Sequence, residues 1–182
     1  MDAAVEGFQD GGDLVPLRKA AALLESPLAG AFWEMVLGHY DEGATASVYA
    51  EFAHRRGWLA PDRVLTPDEY RTLRDRARSW AGEDRVWADV TAEFGPPSML
   101  IGGTNPYYGK TLGYLGEGIE EPIVFFHLWN GSAPDAEASW PELKEPLLLG
   151  LRFGNGPFRE SFTFTPEGQR RRPERDSDAR CH

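Results

Sequence analysis

Residues that could support catalysis or small-molecule binding are concentrated between positions 105 and 130. His127 lies in the apolar run Ile123–Trp129, and a histidine with an orienting partner can act as a general base near neutral pH. The competing interpretation is a hydrogen-bonded histidine in the core, which binds no substrate. A pocket beside His127 would use a small set of polar and aromatic side chains: Asn105, Lys110, His127, Trp129 and Asn130.

The segment Gly102–Thr111 ends in Gly-Lys-Thr, as phosphate-binding loops do. Its spacing differs from that motif, because Thr104 stands where the first glycine is required. A phosphate loop must also open a helix whose free N–H groups hold the anion, whereas the residues after Thr111 have the pattern of a strand and a turn. The segment therefore disfavours nucleotide hydrolysis. It favours a hairpin loop that exposes Tyr107 and Tyr108 to a partner.

Other residues with reactive or metal-binding side chains lack the spacing that a specific site needs. His39 and His54 fall on successive predicted helices, but neither belongs to a tight His or Cys pair of the kind that holds zinc. Glu120 and Glu121 are adjacent in a turn and point apart, which disfavours shared acid–base work. The lone cysteine, Cys181, lies beside the C-terminus, so covalent catalysis has no positioned nucleophile. The sequence predicts no metal and no cofactor.

Residues 117–145 form an acidic region, which contains seven carboxylates and a single base, Lys144. It includes the long connection Asn130–Trp140, in which the tryptophan lies among polar residues. Acidic loops with aromatic anchors fit a surface that meets a basic protein, and solubilising charge is the alternative explanation. The predicted docking residues are Tyr107, Tyr108, Glu117, Glu120, Glu121, Asp135, Glu137 and Trp140.

The charge balance of the 182 residues is acidic, with 19 Lys and Arg against 29 Asp and Glu and a net charge of −10. Nucleic-acid binding needs clustered bases, so this balance makes it an unfavoured function. One arginine stripe, at Arg71, Arg74 and Arg78, has helical spacing. Because Asp68 and Asp75 are interleaved with it, a solvated face with ion pairs is the favoured interpretation.

The two ends of the chain predict neither a leader nor a membrane anchor. The first residues carry acids where a signal peptide carries bases, and the longest apolar run, Ile123–Trp129, is too short to span a bilayer. Residues 168–182 contain no Val, Leu, Ile or aromatic side chain and are predicted to form a disordered basic tail. One lone cysteine fits a reducing, cytoplasmic location.

The N-terminal half has helical patterns, in a helical part that spans about residues 14–94 of one domain, 1–167. Ser26-Pro27 predicts a helix to about Tyr40, and Thr45 or Ser47 begins a second one that Gly57 ends. Thr66-Pro67-Asp68-Glu69 combines an N-cap, a first-turn proline and a capping-box glutamate. Whether that third helix continues past Gly82 to Phe94 is left open.

After Pro97 the pattern changes to five short strand-like runs separated by turn residues. Helices followed by strands predict an α+β fold, with N-terminal helices on a C-terminal five-stranded, mainly antiparallel sheet, a β-meander over about residues 98–166. The central run, apolar on both faces, is expected to be covered on each side. The predicted strands are Ser98–Gly102, Lys110–Leu115, Ile123–Trp129, Leu147–Phe153 and Glu160–Thr165.

These features together favour a non-enzymatic protein-binding module. The most concrete prediction is a bacterial immunity or antitoxin-type inhibitor that occludes a basic protein partner, such as a toxin domain, with no membrane involved. The alternative is a small-molecule-binding protein or enzyme with a pocket between the helices and the sheet near His127. A ring that lines an open cavity with Lys110 or a carboxylate would favour the enzyme, and a buried ring would favour the binding protein.

Overall fold

The fold is α+β, with helices before an antiparallel sheet. The computed structural model describes residues 41–131, 143–154 and 158–172. Within these ranges three helices precede five strands, and a short fourth helix follows them. The elements are α1 Asp41–Arg55, α2 Pro67–Trp80, α3 Trp87–Phe94, β1 Met99–Ile101, β2 Lys110–Tyr114, β3 Val124–Trp129, β4 Leu147–Phe153, β5 Phe162–Phe164 and α4 Pro166–Arg170.

The five strands form one sheet in the order β1-β2-β3-β4-β5, and every neighbouring pair is antiparallel. This is the predicted meander, in which each strand lies beside the next one in sequence. β3 is the central strand, and all of its residues except Trp129 are buried. The apolar run is central because helices cover the sheet on both sides of it, as the sequence predicted.

The two faces of the sheet pack against different helices. Successive side chains of a strand point to opposite faces, so Leu112, Phe126 and Leu151 share one face and form a core cluster with residues of α2 and α3. We call this the α2 face. Phe125 lies on the other face, with Ala50 of α1. α1 contacts β1, β2 and β3 there, and we call this the α1 face.

The local signals of the third helix act as the sequence predicts, but the helix does not continue to Phe94. Thr66 caps α2 through a complete capping box with Glu69. After Trp80 the chain leaves the helix, because the backbone of residues 85–86 is used against β4: the Arg85 carbonyl accepts from Leu148 N at 2.8 Å, and Val86 forms a bridge to Leu147. A new helix, α3, then runs to the positive-φ residue Gly95.

The C-terminal part differs from the prediction in two ways. Residues Phe158–Ser161 form a 3-10 helix, so the last strand is shorter than the predicted Glu160–Thr165. The predicted start of the disordered tail, residue 168, falls inside α4. Gly168 lies so close to the carbonyl of Leu149 that a side chain there would collide with backbone. Glycine at this position is what lets α4 lie against β4.

Some predictions concern residues outside the described ranges. They include the first helix, from Ser26 to about Tyr40, the connection at residues 132–142, the turn at 155–157 and the tail from residue 173 onward. In the described part of the chain, no helix combines the length and the apolar character needed to cross a bilayer.

Candidate functional site

The connection between β1 and β2, residues 102–109, exposes two adjacent aromatic side chains. Tyr107 is 50% exposed and Tyr108 is 43% exposed. Burial of aromatic rings is the usual result of folding, because each ring removes a large apolar area from water. Two neighbouring tyrosines that stay about half exposed therefore leave part of their ring surface in contact with solvent. We call residues 102–109 the tyrosine loop.

Asn130 joins the tyrosine loop to the far end of the next connection. Its side-chain amide donates to the carbonyls of Tyr107 and Leu143, each at 2.8 Å, and its oxygen accepts from Leu143 N at 3.0 Å. Asn130 itself is buried. The connection between β3 and β4 therefore has two residues, Asn130 and Leu143, beside the tyrosine loop.

Lys110 and Asn105 hold the backbone of the loop through hydrogen bonds. The Lys110 ammonium donates to the Asn105 carbonyl at 2.8 Å and lies 3.7 Å from the centroid of the Trp87 ring. The Asn105 side chain accepts from Tyr107 N at 3.0 Å. Burial lowers the pKa of Lys110. Three residues predicted to line a pocket thus fix the shape of a loop instead.

Replacing Asn130 with aspartate tests how far this loop depends on one side chain. Asn130→Asp puts a carboxylate against the carbonyls of Tyr107 and Leu143, which lose their donor, so we expect a loss of about 2 kcal/mol in the free energy of unfolding. Hydrogen exchange in residues 102–109 should accelerate more than exchange in β3. Equal acceleration throughout the sheet would show that Asn130 supports the whole domain and not the loop.

Two of the predicted acidic residues, Glu117 and Glu120, are not brought together with the tyrosines. Successive turns of a meander lie at alternate ends of the sheet, so Glu117 and Glu120, in the turn after β2, lie at the opposite end from the tyrosine loop, which precedes β2. The five residues of β2 separate the two turns by about 17 Å, at roughly 3.3 Å per residue. Glu117 and Glu120 therefore do not share one surface with Tyr107 and Tyr108.

The remaining predicted docking residues divide into two groups. Glu121 turns back into its own turn, where its carboxylate accepts from Gly118 N at 3.0 Å. Its carboxylate is thus held within the turn, whereas the sequence predicts Glu121 as a docking residue. Asp135, Glu137 and Trp140 lie outside the described residues.

His127 lies on the α1 face, whereas Lys110 lies on the α2 face. His127 pairs with Thr111 and Lys110 pairs with Leu128, so the two side chains leave the sheet in opposite directions. Only 5% of His127 is exposed, and its ring stacks on Phe162 at 5.5 Å between centroids. The histidine and the lysine therefore do not line one pocket.

Trp129, the last residue of β3, contacts the end of α4. Its ring lies against the guanidinium of Arg171, at 4.0 Å from the ring centroid, where α4 ends. The residues predicted for the alternative pocket therefore occupy three different places: Asn105, Lys110 and Asn130 at the tyrosine loop, His127 under α1, and Trp129 beside α4.

A buried polar cluster under α1 was missed in the sequence. Arg152 is 2% exposed, and its guanidinium forms an ion pair with Glu51 and donates to the Ser47 hydroxyl at 3.2 Å. Thr111 and His127 complete the group, with 3.1 Å between the Thr111 hydroxyl and His127 Nδ1. The signal was a single arginine inside the strand Leu147–Phe153, since a charge in a buried strand needs a buried partner.

Burial sets the charge states in this polar cluster, Ser47, Glu51, Thr111, His127 and Arg152. Desolvation raises the pKa of Glu51 to about 7, although Arg152 opposes the shift. Desolvation, together with the positive charge of Arg152, lowers the pKa of His127 to about 3. His127 Nε2 has no hydrogen-bond partner within the described part of the chain. The imidazole is therefore neutral at ordinary pH, and none of the described residues satisfies its Nε2.

This cluster joins α1 to the sheet, and the tyrosine loop exposes two aromatic side chains at one end of the sheet. Among residues 41–131, 143–154 and 158–172, no three His, Cys, Asp or Glu side chains are placed to hold a metal ion. No family model, curated protein or solved structure matches the chain.

Proposed function

We propose that the chain is a non-enzymatic protein-binding module that docks a basic protein through the sheet end bearing the tyrosine loop. One observation carries the proposal: Tyr107 and Tyr108 are exposed on a loop whose backbone is held by Asn130, Asn105 and Lys110. Tyrosine supplies large contact area and loses little rotamer freedom on binding. A loop held before binding also lowers the entropy that association must overcome.

Charge supports a basic partner at this end. The sequence between Asn130 and Leu143 includes three acids, Asp135, Glu137 and Glu142, and the aromatic residue Trp140, and it has no base between residues 132 and 142. The net charge of −10 attracts a cationic protein over long range and accelerates its capture. Glu117 and Glu120, at the other end of the sheet, take no part in this docking surface.

The most concrete form of the proposal is a bacterial immunity or antitoxin-type inhibitor that acts by occlusion in the cytoplasm. Such an inhibitor needs shape and charge but no reacting groups, which agrees with a buried, neutral His127. Rapid capture matters for a protein that must neutralise a toxin before it acts, and opposite net charges supply that speed.

Partner capture from a lysate of the source organism tests this function. The immobilised chain should retain a basic protein at low salt, and Tyr107→Ala/Tyr108→Ala should retain at least tenfold less of it, since aromatic residues at the centre of an interface each contribute about 2 kcal/mol or more. Retention should weaken at high salt because the steering charges are screened.

The matched control is Glu117→Gln/Glu120→Gln, which removes charge at the other end of the sheet and should retain the same protein. Retention by the double tyrosine variant equal to that of the unmodified chain would exclude the tyrosine loop as the docking site. Capture that depends only on net charge would be weaker for Glu117→Gln/Glu120→Gln and unchanged for the double tyrosine variant, and would refute the proposed interface.

A further inference from the structure

The turn between β2 and β3 has a shape that is fixed from within. The Glu121 carboxylate accepts from Gly118 N at 3.0 Å, and the Gly118 carbonyl accepts from Glu121 N at 2.9 Å. The Tyr70 hydroxyl of α2 donates to the Pro122 carbonyl at 2.6 Å, which ties the turn to the helix. A surface held in this way loses little conformational freedom when another protein binds it.

This turn exposes an apolar side chain between two acids. Ile119 is 48% exposed, and Glu117 and Glu120 are exposed on either side of it. Neither carboxylate has a hydrogen bond or an ion pair with the described residues. An exposed isoleucine on a rigid turn is costly to hydrate, so covering it would be favourable.

The arginine stripe of α2 (Arg71, Arg74 and Arg78) is linked to the same turn through Tyr70, whose hydroxyl reaches the Pro122 carbonyl. Arg74 lies over the ring of Tyr70, at 6.0 Å from its centroid, and Arg78 lies over the ring of Phe153 at 4.5 Å. Within the described residues neither guanidinium has a carboxylate partner, whereas Arg71, the third member of the stripe, pairs with Asp68 at 2.8 Å. Arginine is weakly hydrated, and stacking on a ring fixes its direction.

We propose that this end of the sheet, formed by Glu117, Ile119 and Glu120 beside Arg74 and Arg78, is a surface for self-association with a second copy of the chain. A uniformly basic partner would be repelled by the arginines, and a uniformly acidic one by the glutamates. The chain itself carries both signs side by side. A twofold axis near Ile119 brings the arginines of each copy to the glutamates of the other, as a self-complementary interface requires.

Sedimentation velocity of the whole chain tests the proposal. At low salt the chain should shift from monomer to dimer as its concentration rises, with a dissociation constant on the order of 10 µM for a small, charge-rich interface. High salt should return it to monomer. Arg74→Glu/Arg78→Glu and Glu117→Lys/Glu120→Lys should each weaken association at least tenfold, because like charges then face each other.

The decisive sample is an equal mixture of the two charge-reversed variants. They should associate with each other as tightly as the unmodified chain associates with itself, since every reversed charge then meets a reversed partner. All of these substitutions lie on the surface, and far-UV circular dichroism should show the same fold for each variant.

A chain that stays monomeric at low salt, or variants that dimerise as well as the unmodified chain, would overturn the proposal. So would a mixture that fails to associate, which would point to a foreign partner at this surface. Tyr107→Ala/Tyr108→Ala should dimerise normally, and both charge-reversed variants should still capture the basic partner. Failure of self-association is thereby separated from failure of the proposed function.

Discussion

Replacing Glu51 with leucine should lower the free energy of unfolding by about 3–5 kcal/mol, because it leaves the guanidinium of Arg152 buried without the Glu51 carboxylate. Arginine stays protonated at any pH at which the protein is handled, so Arg152 cannot neutralise itself when its partner is lost. Chemical denaturation at about neutral pH measures the change. The loss should appear at every ionic strength, since salt does not screen a buried pair.

The two members of the Glu51–Arg152 ion pair differ in whether they can lose their charge, and this difference provides the control. Arg152→Met should cost less than Glu51→Leu, because burial already raises the pKa of Glu51 to about 7 and the abandoned carboxyl can take up a proton. Glu51→Gln, which keeps an oxygen for Arg152, should cost least. This expected order requires an unpaired buried Arg152 to cost more stability than an unpaired buried Glu51. A larger loss for Arg152→Met than for Glu51→Leu would contradict it.

The double variant Glu51→Leu/Arg152→Met should recover most of the stability that either single variant loses, because an apolar pair of similar volume needs no desolvation. α1 would then remain on the sheet through Ala50 and its apolar neighbours. A double variant as unstable as Glu51→Leu alone would show that the ion pair is indispensable for placing α1.

The sequence predicted the fold well where local chemistry determines it. The capping box at Thr66 begins α2, the left-handed Gly57 follows the end of α1, and five alternating or apolar runs become five strands in sequence order. It did not decide whether α2 continues past Gly82, because the answer depends on hydrogen bonds to Leu148, more than sixty residues away. The spacing of apolar residues and the capping residues contain no information about such a distant contact.

The candidate site was harder to predict, because side chains close in sequence were assumed to be close in space. Glu117 and Tyr107 are ten residues apart, yet the strand between them carries them to opposite ends of the sheet. His127 and Lys110 have neighbouring register positions but opposite faces. Glu51 and Arg152 are a hundred and one residues apart in sequence. The only sequence signal of their pairing is that Arg152 is a charged residue inside an apolar strand.

His127→Phe should raise the free energy of unfolding by about 1–2 kcal/mol at neutral pH. The substitution removes a buried nitrogen, Nε2, that has no partner among the described residues, and phenylalanine fits a position where the ring already stacks on Phe125 and Phe162. The gain is reduced by the hydrogen bond that Thr111 loses. A destabilised variant would show that Nε2 is satisfied in the folded protein.

The same substitution has a pH dependence of known sign. Folding lowers the pKa of His127 from 6.5 to about 3, so below pH 6.5 the unfolded chain binds a proton that the folded protein refuses. The histidine therefore costs the folded protein stability as the pH falls through this window, by about 1.4 kcal/mol per pH unit. Glu51, whose pKa folding raises from 4.5 to about 7, has the opposite slope and masks the effect in the unmodified chain.

Comparing His127→Phe with the unmodified chain cancels Glu51 and every other shared group. The stability difference in favour of the variant should grow as the pH falls from 6.5 toward 4.5, by about 3 kcal/mol. Denaturant midpoints of both proteins over this range measure it, provided that the slopes of the two unfolding curves agree. A difference that stays constant with pH would mean that His127 is protonated equally in both states, and that α1 does not exclude water from its ring.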